Sequence, residues 1–221
     1  MVTYHLNYDF IWGHFDKLAW GLVLSLELAF ISILIGMAIG LSLALAYTGG
    51  GRVIRSIVAG YVEFIRNVPL LLLVYLVFYG VPSVGGFAYD ATGSFVITLS
   101  VYAGATMVEV FRAGLAAVPA GLIDAGKAIG LTGWQRLLWV RLPTMVRIVL
   151  PSLSNAYVSL FKDTSLASVI AVPELTYGAQ WINTNSFRVI EVWSVTAPMY
   201  LVTGYGLLFL LQRLERRFAV H

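Results

Sequence analysis

From Leu18 to Tyr47 the chain reads LAWGLVLSLELAFISILIGMAIGLSLALAY, an apolar run interrupted by a single ionisable residue, Glu27. A membrane-spanning helix needs about 20 such residues, and at 1.5 Å per residue this run reaches roughly 45 Å, so it must tilt or protrude. It is too long for the apolar core of a secretory signal and lacks a basic segment before it, so it reads as a retained membrane helix. Working outward, four more spans follow, over about residues 57–81, 95–118, 145–171 and 192–214, the fourth containing Pro151. Glycine and proline mark the joints: Gly49-Gly50-Gly51, Pro82 with Gly85-Gly86, and Pro119. The expected fold class is therefore an all-α integral membrane protein of five transmembrane helices, forming one domain over residues 1–221.

Composition agrees. The chain is 59% hydrophobic and 11% charged, against about 25% charged residues in soluble domains, so lipid must solvate much of its surface. There is no cysteine, which excludes disulfides and thiolate chemistry, and His5, His14 and His221 all lie near the ends, which argues against a histidine metal site. A basic pI of 9.2 is compatible with nucleic-acid binding, but helical membrane proteins also collect Lys and Arg on the cytoplasmic side, and that reading needs no nucleic acid.

The charge distribution gives the expected orientation. One set of connections carries Arg52, Arg55, Arg112, Lys127, Arg136, Arg141, Arg147, Arg213, Arg216 and Arg217. The other carries Lys17 and Arg188 among Asp9, Asp16, Asp90, Glu174 and Glu191. With the basic set cytoplasmic, five spans put the N-terminus outside and the C-terminus inside. Trp12, Trp20, Trp181 and Trp193 then fall at the outer interface, Trp134 and Trp139 at the inner one.

The connection over residues 119–143 is too patterned for a plain hairpin. Leu122, Ala125 and Ile129 recur at helical spacing with Asp124 and Lys127 on the other side, and Gly130 stands where a helix end favours a left-handed residue. A second short helix carries Trp134, Leu137 and Leu138 towards Leu142-Pro143. Periodicity alone leaves two readings open: a protrusion that a soluble partner grips, or a helix lying passively on lipid headgroups. Gly121 to Ala128 also reads G-x-x-x-x-G-K-A, close to a nucleotide-binding loop. Ala128 lacks the hydroxyl that would hold Mg²⁺, and no strand precedes the segment.

Within the fourth span Ser152, Asn155, Ser159 and Lys162 repeat at intervals of three, four and three, which puts them on one helix face with Asp163 on its flank. Intramembrane charges face protein or water and mark functional sites by default; the alternative is that Lys162 and Asp163 satisfy neighbouring helices. Glu63 and Asn67 sit four apart on the second span beside Arg66. Glu109 and Arg112, three apart, have the spacing of a structural ion pair. Glu27 fits solute contact or subunit packing equally, while Gly36, Ala38, Gly40, Ser42 and Ala44 read as helix-packing positions.

The residues from Pro119 to Pro143 resemble the EAA loop of permease subunits of bacterial ABC importers. Asp124-Ala125-Gly126 stands at the EAA triplet, followed by Gly130 and the closing Leu142-Pro143; the Asp and the Gly depart from the pattern. Tyr61 to Leu71, Glu109 to Gly114, Lys162-Asp163-Thr164-Ser165-Leu166 and Leu214-Glu215-Arg216-Arg217 are similar to segments of the polar amino acid uptake family (the His, Glu, Gln, Arg and opine type). The resemblance spans nearly the whole chain, in order.

It implies a type I importer permease that binds no cofactor itself, with ATP and Mg²⁺ on a partner ABC ATPase dimer, and that is not an enzyme. It further implies a second permease subunit, identical or similar, and an extracytoplasmic solute-binding protein, all in the bacterial inner membrane and with no nucleic acid. Asp124, Ala125, Gly126, Gly130, Leu142 and Pro143 become the expected ATPase-coupling residues. Glu63, Asn67, Asn155, Ser159, Lys162, Asp163 and Thr164 become the expected solute pathway. A self-sufficient secondary transporter driven by an ion gradient is the alternative, against which the chain shows neither an inverted repeat nor paired broken helices.

Overall fold

The computed structural model describes residues 4–86 and 89–218, which are helical almost throughout and contain no strand. After a single turn at Asp9–Trp12 the helices are α1 (Phe15–Gly49), α2 (Arg52–Asn67), α3 (Leu70–Gly85), α4 (Ala91–Ala116), α5 (Ala120–Ala128), α6 (Gly133–Ile170), α7 (Leu175–Ser186) and α8 (Val189–Phe218). The long apolar helices α1, α4, α6 and α8 can each cross a membrane, and the bent pair α2–α3 makes a fifth crossing.

The bundle is built around α1 and α4, which share its most extensive contact. Apolar association gains little between helices already in lipid, so close backbone approach through small residues takes over. Gly36, Gly40 and Ala44 are buried on one stripe of α1. A Cβ on Gly36 would lie 2.6 Å from the Ala103 Cβ, and one on Gly40 would overlap Met107. Ala38 and Ser42, expected with them at the packing face, point outward instead, as their offset of two residues requires. Leu28, Ile33, Phe95, Leu99 and Leu160 fill the core at one level of the bundle, and Ala44, Met107, Phe111 and Met145 fill it at another.

The span expected over 57–81 is not one helix. α2 and α3 meet at 103°, with Val68 extended (φ −90°, ψ 131°) at the joint. Pro69 is the cause: its ring disfavours a helical residue before it, and it has no N–H to continue the ladder. α2 lays Val58, Val62 and Ile65 against α4, where the Tyr61 hydroxyl donates to the Val101 carbonyl at 2.7 Å. α3 turns Leu70, Leu73 and Val74 into the core beside Phe95, Leu99 and Ala105.

Two further differences concern the fourth span. The second helix of the 119–143 connection is not a separate element but the start of α6, which runs unbroken from Gly133. The Leu137–Arg141 turn is wound in π register just before Pro143, where the ladder must lose a donor. At the other end Thr164–Ile170 tightens to a 3₁₀ helix. The connection to the last span also contains a helix, α7, with Leu175, Gly178, Ala179 and Ile182 buried at helical spacing. His221 lies outside the described residues.

Candidate functional site

The elbow between α5 and α6 is assembled by local hydrogen bonds. Gly130 (φ +80°) donates its N–H to Lys127 at 2.9 Å, and the Leu131 N–H reaches Gly126 at 3.0 Å, which closes α5 with a left-handed cap. Thr132 and Gln135 then exchange backbone and side-chain bonds as a capping box that starts α6. Gly126, where the EAA pattern has alanine, is buried against Arg136: an added Cβ would meet the arginine stem at 3.3 Å. The Arg136 guanidinium donates to the Leu131 carbonyl and so crosses the elbow.

Asp124 pairs with Lys127 at 2.7 Å on an exposed face, and Ala125 and Pro143 are also exposed. Leu142 packs with the Met145 and Phe111 cluster, anchoring the loop to the bundle. The apolar side of α5 is not covered by any other described residue. Leu122 is 45% exposed, Ile129 77% and, on α6, Trp134 66%.

On α6 the residues Ser152, Asn155, Ser159 and Lys162 are all exposed, and Asp163 is half-buried on their flank. Neither Lys162 nor Asp163 forms an ion pair with another described residue. Thr164 departs from the group: it is fully buried, and its hydroxyl donates to the Phe161 carbonyl at 2.6 Å because the 3₁₀ winding turns it inward. Glu63 and Asn67 lie on α2, next to the break, joined by an amide-to-carboxylate bond of 2.9 Å. They pair with each other; no hydrogen bond or ion pair among the described residues joins them to the α6 stripe. Glu109 and Arg112 form an ion pair at 2.6 Å.

Two buried carboxylates occupy the opposite end of the bundle, where the sequence places them simply among the acids of the loops. Glu174, in the link between α6 and α7, accepts from the Thr176 and Tyr177 N–H groups at 2.8 Å each, from the Tyr200 hydroxyl at 2.9 Å and from Ser25 at 3.3 Å. It thereby caps α7 and ties α1 to α8. Burial lifts its carboxyl to about 7 even against those four bonds. Glu191 accepts from Arg188 at 3.0 Å and from the Asn7 N–H at 3.1 Å, which fastens the N-terminal segment to α8. A third carboxylate, Glu215, receives the Ser154 hydroxyl and links α8 to the side of α6 opposite the polar stripe. The signal for Glu174 was available: it precedes the helical spacing of Leu175, Gly178, Ala179 and Ile182 as an acidic N-cap should.

Over residues 17–220 the chain matches the family described as binding-protein-dependent transport system inner membrane component. It belongs to that family. The glutamine transport system permease protein GlnP of Escherichia coli (strain K12) is 33% identical to it, across 97% of this chain and 98% of the relative. The L-cystine transport system permease protein TcyB of Bacillus subtilis (strain 168) is 35% identical across 90% of this chain and 86% of the relative. The nopaline transport system permease protein NocM of Agrobacterium fabrum is 32% identical, covering 85% of this chain and 81% of its own. Among solved structures, a crystal structure of an amino acid ABC transporter superposes with a TM-score of 0.89 at 28% identity, across 97% of this chain and all of that one. The inward-facing MetNI methionine ABC transporter has the same fold, with a TM-score of 0.75 at 17% identity. This permease is thus a multi-pass inner-membrane protein of type I importer architecture.

Proposed function

We propose that this permease is the transmembrane subunit of an ATP-driven importer for an amino acid or a related small polar solute. The observation that carries the reading is the polar face of α6. Asn155, Ser159 and Lys162 stand exposed on a membrane helix with no covering element among the described residues, and an ionic residue at membrane depth must face protein or water. A second permease subunit, identical or similar, supplies the other wall, and the stripe with Asp163 lines the path between them. Glu63 and Asn67, on α2 beside the bend to α3, belong to the same path. The relatives named for glutamine, cystine and nopaline transport support a solute that carries both an ammonium and a carboxylate.

The exposed apolar side of α5 and the Gly130 elbow receive the ATPase subunit, which holds ATP and Mg²⁺ while this chain performs no catalysis. The basic end faces the cytoplasm, with the C-terminus, and the Glu174 end faces the solute-binding protein.

The test is reconstitution of the transporter with its ATPase and binding protein in proteoliposomes. ATP-dependent uptake of an amino acid is the expected result, and Asp163→Asn or Asn155→Ala should weaken apparent solute affinity by about tenfold, the scale of one lost charged contact. Unchanged affinity and selectivity in both variants would remove the pathway role. Uptake by the permease alone on an ion gradient would overturn the importer reading.

A further inference from the structure

At the basic end, between α1, α2, α4 and α6, lies a cavity of about 450 Å³ lined by Arg55, Arg112, Arg141 and Glu109. Its charges do not balance. Glu109 is neutralised by Arg112 at 2.6 Å, and the Arg112 guanidinium also lies 3.8 Å from the centre of the Tyr47 ring. Arg55 and Arg141 have no carboxylate partner among the described residues. Arg55 donates its Nε to the Tyr47 carbonyl at 3.1 Å. Among the described residues Arg141 reaches only the Leu115 carbonyl, at a long 3.5 Å, and its Nε is buried without a hydrogen-bond partner. A buried donor on a charged group is seldom left unmet in a folded protein, so this one points to a ligand.

The ligand must be an anion with several acceptor oxygens, because guanidinium groups present fixed forks that match phosphate. The surroundings indicate where it comes from. Trp139, two residues before Arg141, is 74% exposed, and tryptophan marks the lipid–water interface. Ile54 and Ile57, before and after Arg55 along α2, are 44% and 66% exposed and give that helix an apolar outer surface.

We propose that this cavity binds the phosphate of an anionic phospholipid, held between Arg55 and Arg141 with its acyl chains along the exposed side of α2. Which leaflet supplies it rests on the orientation proposed above; binding itself does not.

The experiment uses the transporter purified with its partners into nanodiscs, where both leaflets are present, so a failure of the orientation leaves the result readable. Native mass spectrometry counts the lipids retained as phosphatidylglycerol is titrated into phosphatidylcholine. The expected result is preferential retention of phosphatidylglycerol, reduced about fivefold by each of Arg55→Gln and Arg141→Gln, the effect of one basic residue at a membrane surface. Arg213→Gln, outside the cavity, serves as the control and should retain the lipid. Arg55 is exposed, so its variant tests the site even where Arg141→Gln perturbs folding. Retention that is indifferent to Arg55→Gln and Arg141→Gln overturns the proposal. A parallel arm adds inorganic phosphate to phosphatidylcholine-only nanodiscs. Arginine-dependent phosphate binding there, without any preference for phosphatidylglycerol, would assign the site to a soluble anion and overturn the lipid.

Discussion

At the scale of single residues, Glu174 shows how one buried carboxylate couples three helices and makes stability depend on pH. Its four hydrogen bonds come from α1, α7 and α8. Its carboxyl is raised from 4.5 to about 7, with desolvation the largest cause. Below about 4.5 the folded and unfolded chains are both protonated. Between that value and about 7 the folded chain keeps a proton the unfolded one has released, so stability falls as pH rises through this window and levels off above it. The total comes to about 3 kcal/mol. Thermal unfolding in detergent at a series of pH values should show that decline in the wild type, and Glu174→Gln should flatten it. A variant with an undiminished slope would place the titrating group elsewhere. The capping position of Glu174 is legible in the sequence from the spacing of Leu175, Gly178, Ala179 and Ile182 behind it, but its burial and its partners on α1 and α8 are not, because packing between helices distant in the chain sets them.

Elements were legible where apolar length alone decides, and illegible where geometry does. The run from Leu18 to Tyr47 is apolar on all sides, so its hydropathy marks α1 but not the face that packs. Only the spacing of small residues carries that, and the four-residue interval of Gly36, Gly40 and Ala44 selects the buried stripe over Ala38 and Ser42. Gly40→Val should therefore cost at least about 1–3 kcal/mol, since its added atoms meet Met107 and the α4 backbone, whereas Ala38→Val should stay within about 0.5 kcal/mol. Denaturant unfolding in mixed micelles measures both, and equal effects would mean that α1 and α4 pack less closely than this. The α2–α3 break was hidden for a different reason: hydropathy averages across Pro69, though the Val68-Pro69 pair carries the local instruction to leave the helix. The Glu63–Asn67 pair sits in the last turns of α2, next to that break.

On the scale of the whole molecule, what the chain leaves uncovered says most about how it works. Its polar stripe on α6 and its apolar elbow at α5 are on surfaces that no other described residue covers, and in the function proposed above both are covered by partner subunits. For closure of an ATPase to do work in the bundle, the elbow must move as a rigid piece, and a contact that differs between two states is what can bias one over the other. The left-handed cap at Gly130, the capping box behind it and Arg136 across it give the elbow that rigidity. No described residue lies within 4 Å of a Cβ added at Gly130, so a side chain there starts into open space. Its cost is the left-handed backbone, about 1–2 kcal/mol for a leucine and less for asparagine, which adopts that conformation more readily. Gly130→Leu should accordingly insert and accumulate like the wild type yet lose ATP-coupled uptake by more than about tenfold, an elbow displaced by roughly 1 Å being enough. Gly130→Asn should keep most of it. Uptake assays normalised to the amount of permease in the membrane distinguish the two. If the leucine variant transports as well as the asparagine one, the conformation of Gly130 does not carry the coupling, and the exposed side chains Leu122 and Ile129 are left as the contacts that do.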